Sequence, residues 1–189
     1  MPRNAPLAAS TGRPRKIPRP MATNRSLPPK LSHVDARGRA RMVDVSAKEV
    51  TERRARAQAV VRMSAPADRQ LRDGTLKKGD AFEMVRFAAI QAAKQTAQLL
   101  PLCHPLKLTQ VDAELTALGG GEWSVATEIA ALDRTGVEME ALTAATVGAL
   151  ALYDMVKAVD RSAEIASVRL LEKSGGKSGR WVREGGGAR

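Results

Sequence analysis

Gly136-Val-Glu-Met-Glu-Ala-Leu-Thr-Ala-Ala-Thr-Val-Gly-Ala-Leu-Ala-Leu-Tyr-Asp-Met-Val-Lys-Ala-Val159 contains no proline, and no charge from Ala141 to Tyr153. Small residues (Ala141, Ala144, Ala145, Gly148, Ala149, Ala151) are interspersed with Leu142, Val147, Leu150 and Leu152. A segment apolar on every side reads as a buried helix rather than a surface one. Thirteen uncharged residues are too few to cross a bilayer. So much Ala and Gly implies that another backbone packs closely against this helix.

Both ends of the predicted helix are ionic. Glu138 and Glu140 fall in its first turn, where the helix dipole favours negative charge. Asp154 and Lys157, three positions apart near the other end, share a face. On an ordinary helix such a pair is a weak, solvated ion pair. Flanked by Tyr153, Met155 and Val156 on an apolar helix, it reads equally as a partly dry pair, with the perturbed protonation that acid–base chemistry uses.

Working outward, 189 residues give room for one ordinary domain. Hydrophobic residues make up 43% but aromatics only 3%, so the core must be built from Ala, Val, Leu, Ile and Met. A single cysteine excludes an intramolecular disulfide and fits a cytoplasmic protein. No signal or membrane segment is recognisable. The net charge of +11 is uneven: residues 1–30 hold seven Lys/Arg and no acid, which leaves +4 for residues 31–189. The Pro- and Arg-rich stretch 1–30 has no periodicity and reads as a disordered basic tail, with Met21 a second candidate start. A modest +4 suits a small anionic ligand better than a long polyanion.

The remaining elements follow from local pattern. Ala40 to Ser46 reads as a short strand. From Arg54 to Met63, Ala55, Ala57, Ala59, Val61 and Met63 alternate with mostly polar residues, a half-buried strand. A short helix is expected over Ala67 to Arg72. Asp80 caps a long helix, with Glu83 three positions on and an apolar face of Phe82, Val85, Ala89, Ala92, Thr96 and Leu99; Pro101 ends it. Leu106 to Ala117 and Glu122 to Leu132 form a hairpin across a glycine run. A last strand covers Ile165 to Leu171, and residues 181–189 are expected to fray. The fold class is α+β: an antiparallel sheet covered by two long helices, over residues 31–180.

Three local patterns invite chemistry. Ser174-Gly-Gly-Lys-Ser178 looks like a phosphate loop, but the pattern requires glycine at 171, where Leu171 stands. What remains is a flexible loop whose N–H groups, with Lys173 and Lys177, can cradle an anion, or a plain solvated turn. Cys103 and His104 are adjacent, and one Cys and two His in the chain argue against a structural zinc; a thiol and a hydrogen-bonding imidazole in a tight turn is the local reading. Lys78 stands just ahead of a helix N-terminus, where anions bind readily, or is an ordinary exposed lysine.

Taken together, Met42-Val-Asp-Val-Ser-Ala-Lys48, Lys78-Gly-Asp80, Ile90-Gln-Ala-Ala-Lys94, Leu100-Pro-Leu-Cys-His-Pro105, Gly136 to Ala145, Tyr153-Asp-Met155 with Lys157, and Lys173 to Gly179 resemble the cyclic pyranopterin monophosphate synthase family. The resemblance runs in order over about residues 31–180. It implies a ferredoxin-like protomer, a homohexamer built as a trimer of dimers, sites at the dimer interface, and no cofactor or metal. The implied activity is a phosphorus–oxygen lyase of molybdenum cofactor biosynthesis. Its small-molecule substrate is a cyclised dihydro-GTP, rearranged to cyclic pyranopterin monophosphate with release of pyrophosphate. Carried over by motif, Asp154 and Lys157 are the central catalytic pair and Lys78 the second lysine. Leu102, Cys103 and His104 line the substrate, and Glu138, Met139 and Glu140 contact its pterin end. Arg53 and Lys173 lie near the phosphates; Lys177 is added from the glycine loop alone. Where the family motif often has Cys, this chain has Val156, so no thiol is expected to act there.

Two readings compete. A nucleic-acid-binding protein would work through residues 1–30, but the rest of the chain has neither an aromatic platform nor a basic stripe. An inactive scaffold is disfavoured because none of the expected polar residues is missing.

Overall fold

The computed structural model describes residues 37–185; the expected disordered tail at 1–30 lies outside them. Eight elements follow in order: β1 (Thr51–Arg62), α1 (Ala65–Arg72), α2 (Ala81–Leu99), β2 (Leu108–Gly119), β3 (Glu122–Asp133), α3 (Glu138–Val156), β4 (Glu164–Ser174) and β5 (Trp181–Val182). The five strands form one antiparallel sheet in the order β2-β3-β1-β4-β5. Without the short α1 and β5, this is the β-α-β-β-α-β order of a ferredoxin-like fold, with α2 and α3 laid on one face.

Period two puts Ala55, Ala57, Ala59 and Val61 of β1 on the helix-facing side, beside Ile129, Thr127, Val125 and Trp123 of β3 in register. Alanines leave no bulk on the sheet, so α3 comes down onto β1 and β3 with its own small face: Ala141, Ala144, Ala145 and Ala149 are fully buried. Gly148 marks the closest approach, where a Cβ would stand 2.9 Å from Val125 Cγ1 and 3.4 Å from Ala89 Cβ. Thr127, buried in the sheet, donates its hydroxyl to the Ala141 carbonyl at 2.9 Å and fixes the height of α3. By length and composition α3 is apolar enough to cross a membrane, but half of it is buried in the fold, as in a core helix.

Several boundaries differ from the sequence reading. Ala40 to Ser46 is no strand: beyond a lone bridge at Ala40 the chain turns on Asp44, which accepts from the Ser46 N–H and hydroxyl. Asp80 caps α2 as expected, accepting from Phe82 and Glu83 N–H at 2.9 and 3.2 Å. The apolar face of α2 instead centres on Ala81, Val85, Ala89, Ala92, Ala93 and Thr96. Phe82 and Leu99, at its two ends, lie at the rim of the core, 39% and 56% exposed. Past Arg180, where fraying was expected, Trp181 and Val182 pair with β4 as β5. Away from the sheet, the helix layer leaves Phe87 63% and Leu150 56% exposed.

Filling the closest approach tests the packing. Gly148→Val should destabilise the protein by about 1–3 kcal/mol, despite the better helix propensity of Val over Gly, because Val125 is stiff and fully buried. Urea unfolding should show a lower midpoint at unchanged slope; an unchanged midpoint would mean that the helix floats above the sheet.

Candidate active site

Sequence-predicted site residues gather at the two ends of α3. At its C-terminal end, Asp154 is held between two lysines. Lys157, on the same helix face, reaches Asp154 Oδ1 at 2.7 Å. Lys78, from the loop between α1 and α2, donates to Asp154 Oδ2 at 2.6 Å and to the Asp154 carbonyl at 2.8 Å. Two ammonium donors hold the Asp154 carboxyl down to about 2, Lys157 contributing most and Lys78 next. The same pairing raises Lys157.

Of the two readings of this pair, this chain alone presents the solvated one: the Asp154 side chain is 52% exposed. Its environment therefore favours the charged forms, the opposite of what burial would do. At neutral pH the group is an ionised carboxylate between two ammoniums. It can bind a phosphate through the lysines, while the carboxylate becomes a base only when those lysines turn to something else.

The N-terminal end of α3 has a different character. No side-chain hydrogen bond caps it, and Glu138 and Glu140 stand in its first turn, where the helix dipole favours negative charge. Glu138 pairs with Lys173 of β4 at 3.0 Å. Glu140 is 3% exposed, and its carboxyl is pushed up to about 7, first by burial and further by the charge of Glu138. Cys103 lies close enough for Glu140 to raise its thiol, though burial contributes more. That thiol sits in a turn closed by Cys103 N–H donating to the Leu100 carbonyl at 3.0 Å, and Cys103 and His104 are half-buried. Leu102 and Met139 are exposed at the same end.

Beside it opens a hollow of about 760 Å³ lined by Lys48, Glu49, Thr51, Arg53, Arg134, Gly136, Glu138, Lys173 and the loop Ser174 to Ser178. Five cations (Lys48, Arg53, Arg134, Lys173, Lys177) face two carboxylates, a field that draws in anions. Arg53 is fixed by donating to the carbonyls of Asp133 and Arg134, each at 3.2 Å. Arg134 donates to the Lys48 carbonyl at 3.0 Å. Gly175 and Gly176, at φ +97° and +67°, lie so close to Glu52 O and the Arg53 guanidinium that any side chain would collide. Glycines there let the loop close over β1. Thr51 Oγ1 is buried without a partner among the described residues, a hydroxyl that an incoming ligand or water would satisfy. Arg134 and Lys48 were not singled out by sequence; a cation within three residues of Gly136, and one closing the 42–48 block, were the available signals.

The described residues place no three His, Cys, Asp or Glu side chains together as metal ligands. One end of α3 offers an ionised Lys–Asp–Lys group, the other a buried carboxyl near neutrality beside a cationic hollow.

The model of the MoaC family matches residues 42–176. The chain belongs to this family, the cyclic pyranopterin monophosphate synthases, which places its role in molybdenum cofactor biosynthesis.

A carboxyl raised from an ordinary 4.5 to about 7 on folding stabilises the folded state fully below pH 4.5, and that contribution is lost as pH rises through 7. Glu140→Gln should remove the loss. Stability of the native protein should fall on the order of 2–3 kcal/mol more than that of the variant between pH 4 and pH 8.5. Parallel denaturation curves across that range would contradict a buried, neutral Glu140.

Proposed function

We propose that the protein is a phosphorus–oxygen lyase converting (8S)-3′,8-cyclo-7,8-dihydroguanosine 5′-triphosphate to cyclic pyranopterin monophosphate with release of pyrophosphate. The observation that carries this reading is the separation of the two half-sites. Glu138 and Asp154 lie 16 residues apart on one helix, roughly 24 Å at 1.5 Å per residue. No nucleotide-sized substrate reaches both ends of one α3. Two copies packed with their α3 helices antiparallel bring Lys78, Asp154 and Lys157 of one protomer to the hollow of the other. This is the arrangement of a homohexamer built as a trimer of dimers with shared sites. The exposed Phe87 and Leu150 on the outer face of the helix layer suit such burial.

In the shared site the five cations of the hollow hold the triphosphate, and Lys173 exchanges Glu138 for phosphate oxygen. The carboxyl of Glu140, near its midpoint at neutral pH, gives or takes a proton at the guanine-derived end, with Glu138, Met139, Leu102, Cys103 and His104 lining it. A hydroxyl of the substrate attacks the α-phosphorus and the bond to the β-phosphate oxygen breaks. The hydroxyl proton passes to Asp154 once Lys78 and Lys157 have turned toward the phosphates, and pyrophosphate leaves with its charge screened by lysine. Closure by the partner dries Asp154 and brings it into the range of a useful base. A cytoplasmic enzyme with no nucleic-acid partner fits this chemistry.

Pyrophosphate release and pterin formation from the cyclised dihydro-GTP test the assignment. Lys78→Ala, Asp154→Asn and Lys157→Ala should each lower turnover ~10³-fold or more with the oligomer intact. Mixing Lys78→Ala with Lys173→Ala after unfolding and reassembly should restore about a quarter of native activity, the share of sites drawing one intact half from each chain. No recovery on mixing would place all the groups of a site in one chain.

A further inference from the structure

Lys78 sits in an eight-residue connection, Asp73 to Asp80, between the end of α1 and the start of α2. A lysine on such a loop is mobile unless something sets the backbone on both sides of it. Here both sides converge on one ring. Trp123 of β3 is 3% exposed and donates its indole Nε1–H to Asp68 Oδ1 of α1 at 2.7 Å. The same carboxylate accepts from Arg72 Nε, with 3.1 Å to each oxygen, and the Arg72 guanidinium lies 5.1 Å over the Trp123 ring. From the other flank Phe82, in the first turn of α2, meets the ring edge-on at 5.9 Å.

The intervening loop is held down in its middle. Leu76 is buried in the core, Thr75 N–H donates to the Gln70 carbonyl at 3.0 Å, and Gly79 N–H to the Leu76 carbonyl at 3.1 Å. At the far end of α1, Ser64 N–H donates to Asp160 Oδ2 at 2.6 Å, and Asp160 lies in the turn just past Lys157. The short helix is thereby referenced to the end of α3 that carries Asp154 and Lys157.

We propose that Asp68, Arg72, Trp123 and Phe82 form a positioning clamp for Lys78, with Trp123 its hub and the Asp68–indole hydrogen bond its fixed link. None of the four touches Asp154. They act through the loop, setting where the Lys78 ammonium stands relative to the carboxylate. The consequence for turnover rests on the reaction proposed above; the geometric consequence for Asp154 does not.

Two variants loosen the link in different ways. Trp123→Phe keeps a ring against Phe82 but has no N–H to donate, and Asp68→Ala removes the acceptor while leaving the indole. In the full-length oligomer each should lower kcat by roughly ten- to a hundredfold with KM changed less than about twofold. Each should also move the Asp154 side-chain titration, followed by carboxyl carbon NMR, upward from its midpoint in the native oligomer, because a displaced Lys78 no longer holds the carboxyl down. Asp68→Asn, whose amide oxygen still accepts from the indole, should keep most of the turnover and leave the Asp154 midpoint near the native one. Reduced thermal stability with kcat per folded protomer and the Asp154 midpoint both unmoved would overturn the clamp, as would Asp68→Asn behaving like Asp68→Ala. A native protein without lyase turnover whose Asp154 midpoint still shifts in Trp123→Phe and Asp68→Ala would uphold the clamp and defeat the assigned reaction.

Discussion

The contact between the small face of α3 and the alanines of β1 governs this structure. Helix and sheet meet through Ala141, Ala144, Ala145 and Gly148 on one side and Ala55, Ala57 and Ala59 on the other, so the backbones approach closely and little side-chain freedom is lost in ordering them. Dispersion across so close a contact offsets the modest apolar area that each alanine contributes. A helix seated this way has no play along its axis, and the Thr127 hydroxyl on the Ala141 carbonyl removes what remains. Groups attached to its two ends are therefore held at a fixed span.

Those ends are electrostatic opposites. At the C-terminal end solvent reaches the carboxylate and lysines stabilise its charge; at the N-terminal end burial penalises the charge of Glu140 and a neighbouring carboxylate adds to the penalty. A single helix thus presents one carboxyl that is always ionised near neutrality and another balanced between its forms. Environment, not residue type, separates them.

The two-residue alternation of β1 and the charge-free run of α3 were legible because each is set by local period against a single face. The Asp80 cap was legible for the same reason. Phe82 and Leu99 were assigned to the buried face because their spacing is right; spacing does not reveal that the core thins at the two ends of the helix and leaves both side chains partly exposed. Ala40 to Ser46 reads as a strand from composition, but among the described residues no strand pairs with it beyond Ala40, and Asp44 turns the chain. β5 is too short for any pattern to announce. Around the site, the helix pattern placed Glu138 and Glu140 at one end of α3 and Asp154 and Lys157 at the other, as the structure has them, but it did not show that the Asp154 side chain is half-exposed. Arg134, Lys48 and the Trp123 hub depend on contacts between residues 50 or more apart, such as Trp123 with Asp68, which no window along the chain contains.

The nearness of Gly148 to Val125 ties two distant positions into one unit of variation. A methyl group gained at residue 148 presses on Val125 Cγ1 and is accommodated more easily where residue 125 is already smaller. Drift at these sites is thus favoured in one order, trimming first and enlarging afterwards. A lineage that enlarged the helix first would pass through a form whose two α3 ends are displaced together. Selection on stability and selection on chemistry act there on the same pair of side chains, though neither stands at an end of the helix.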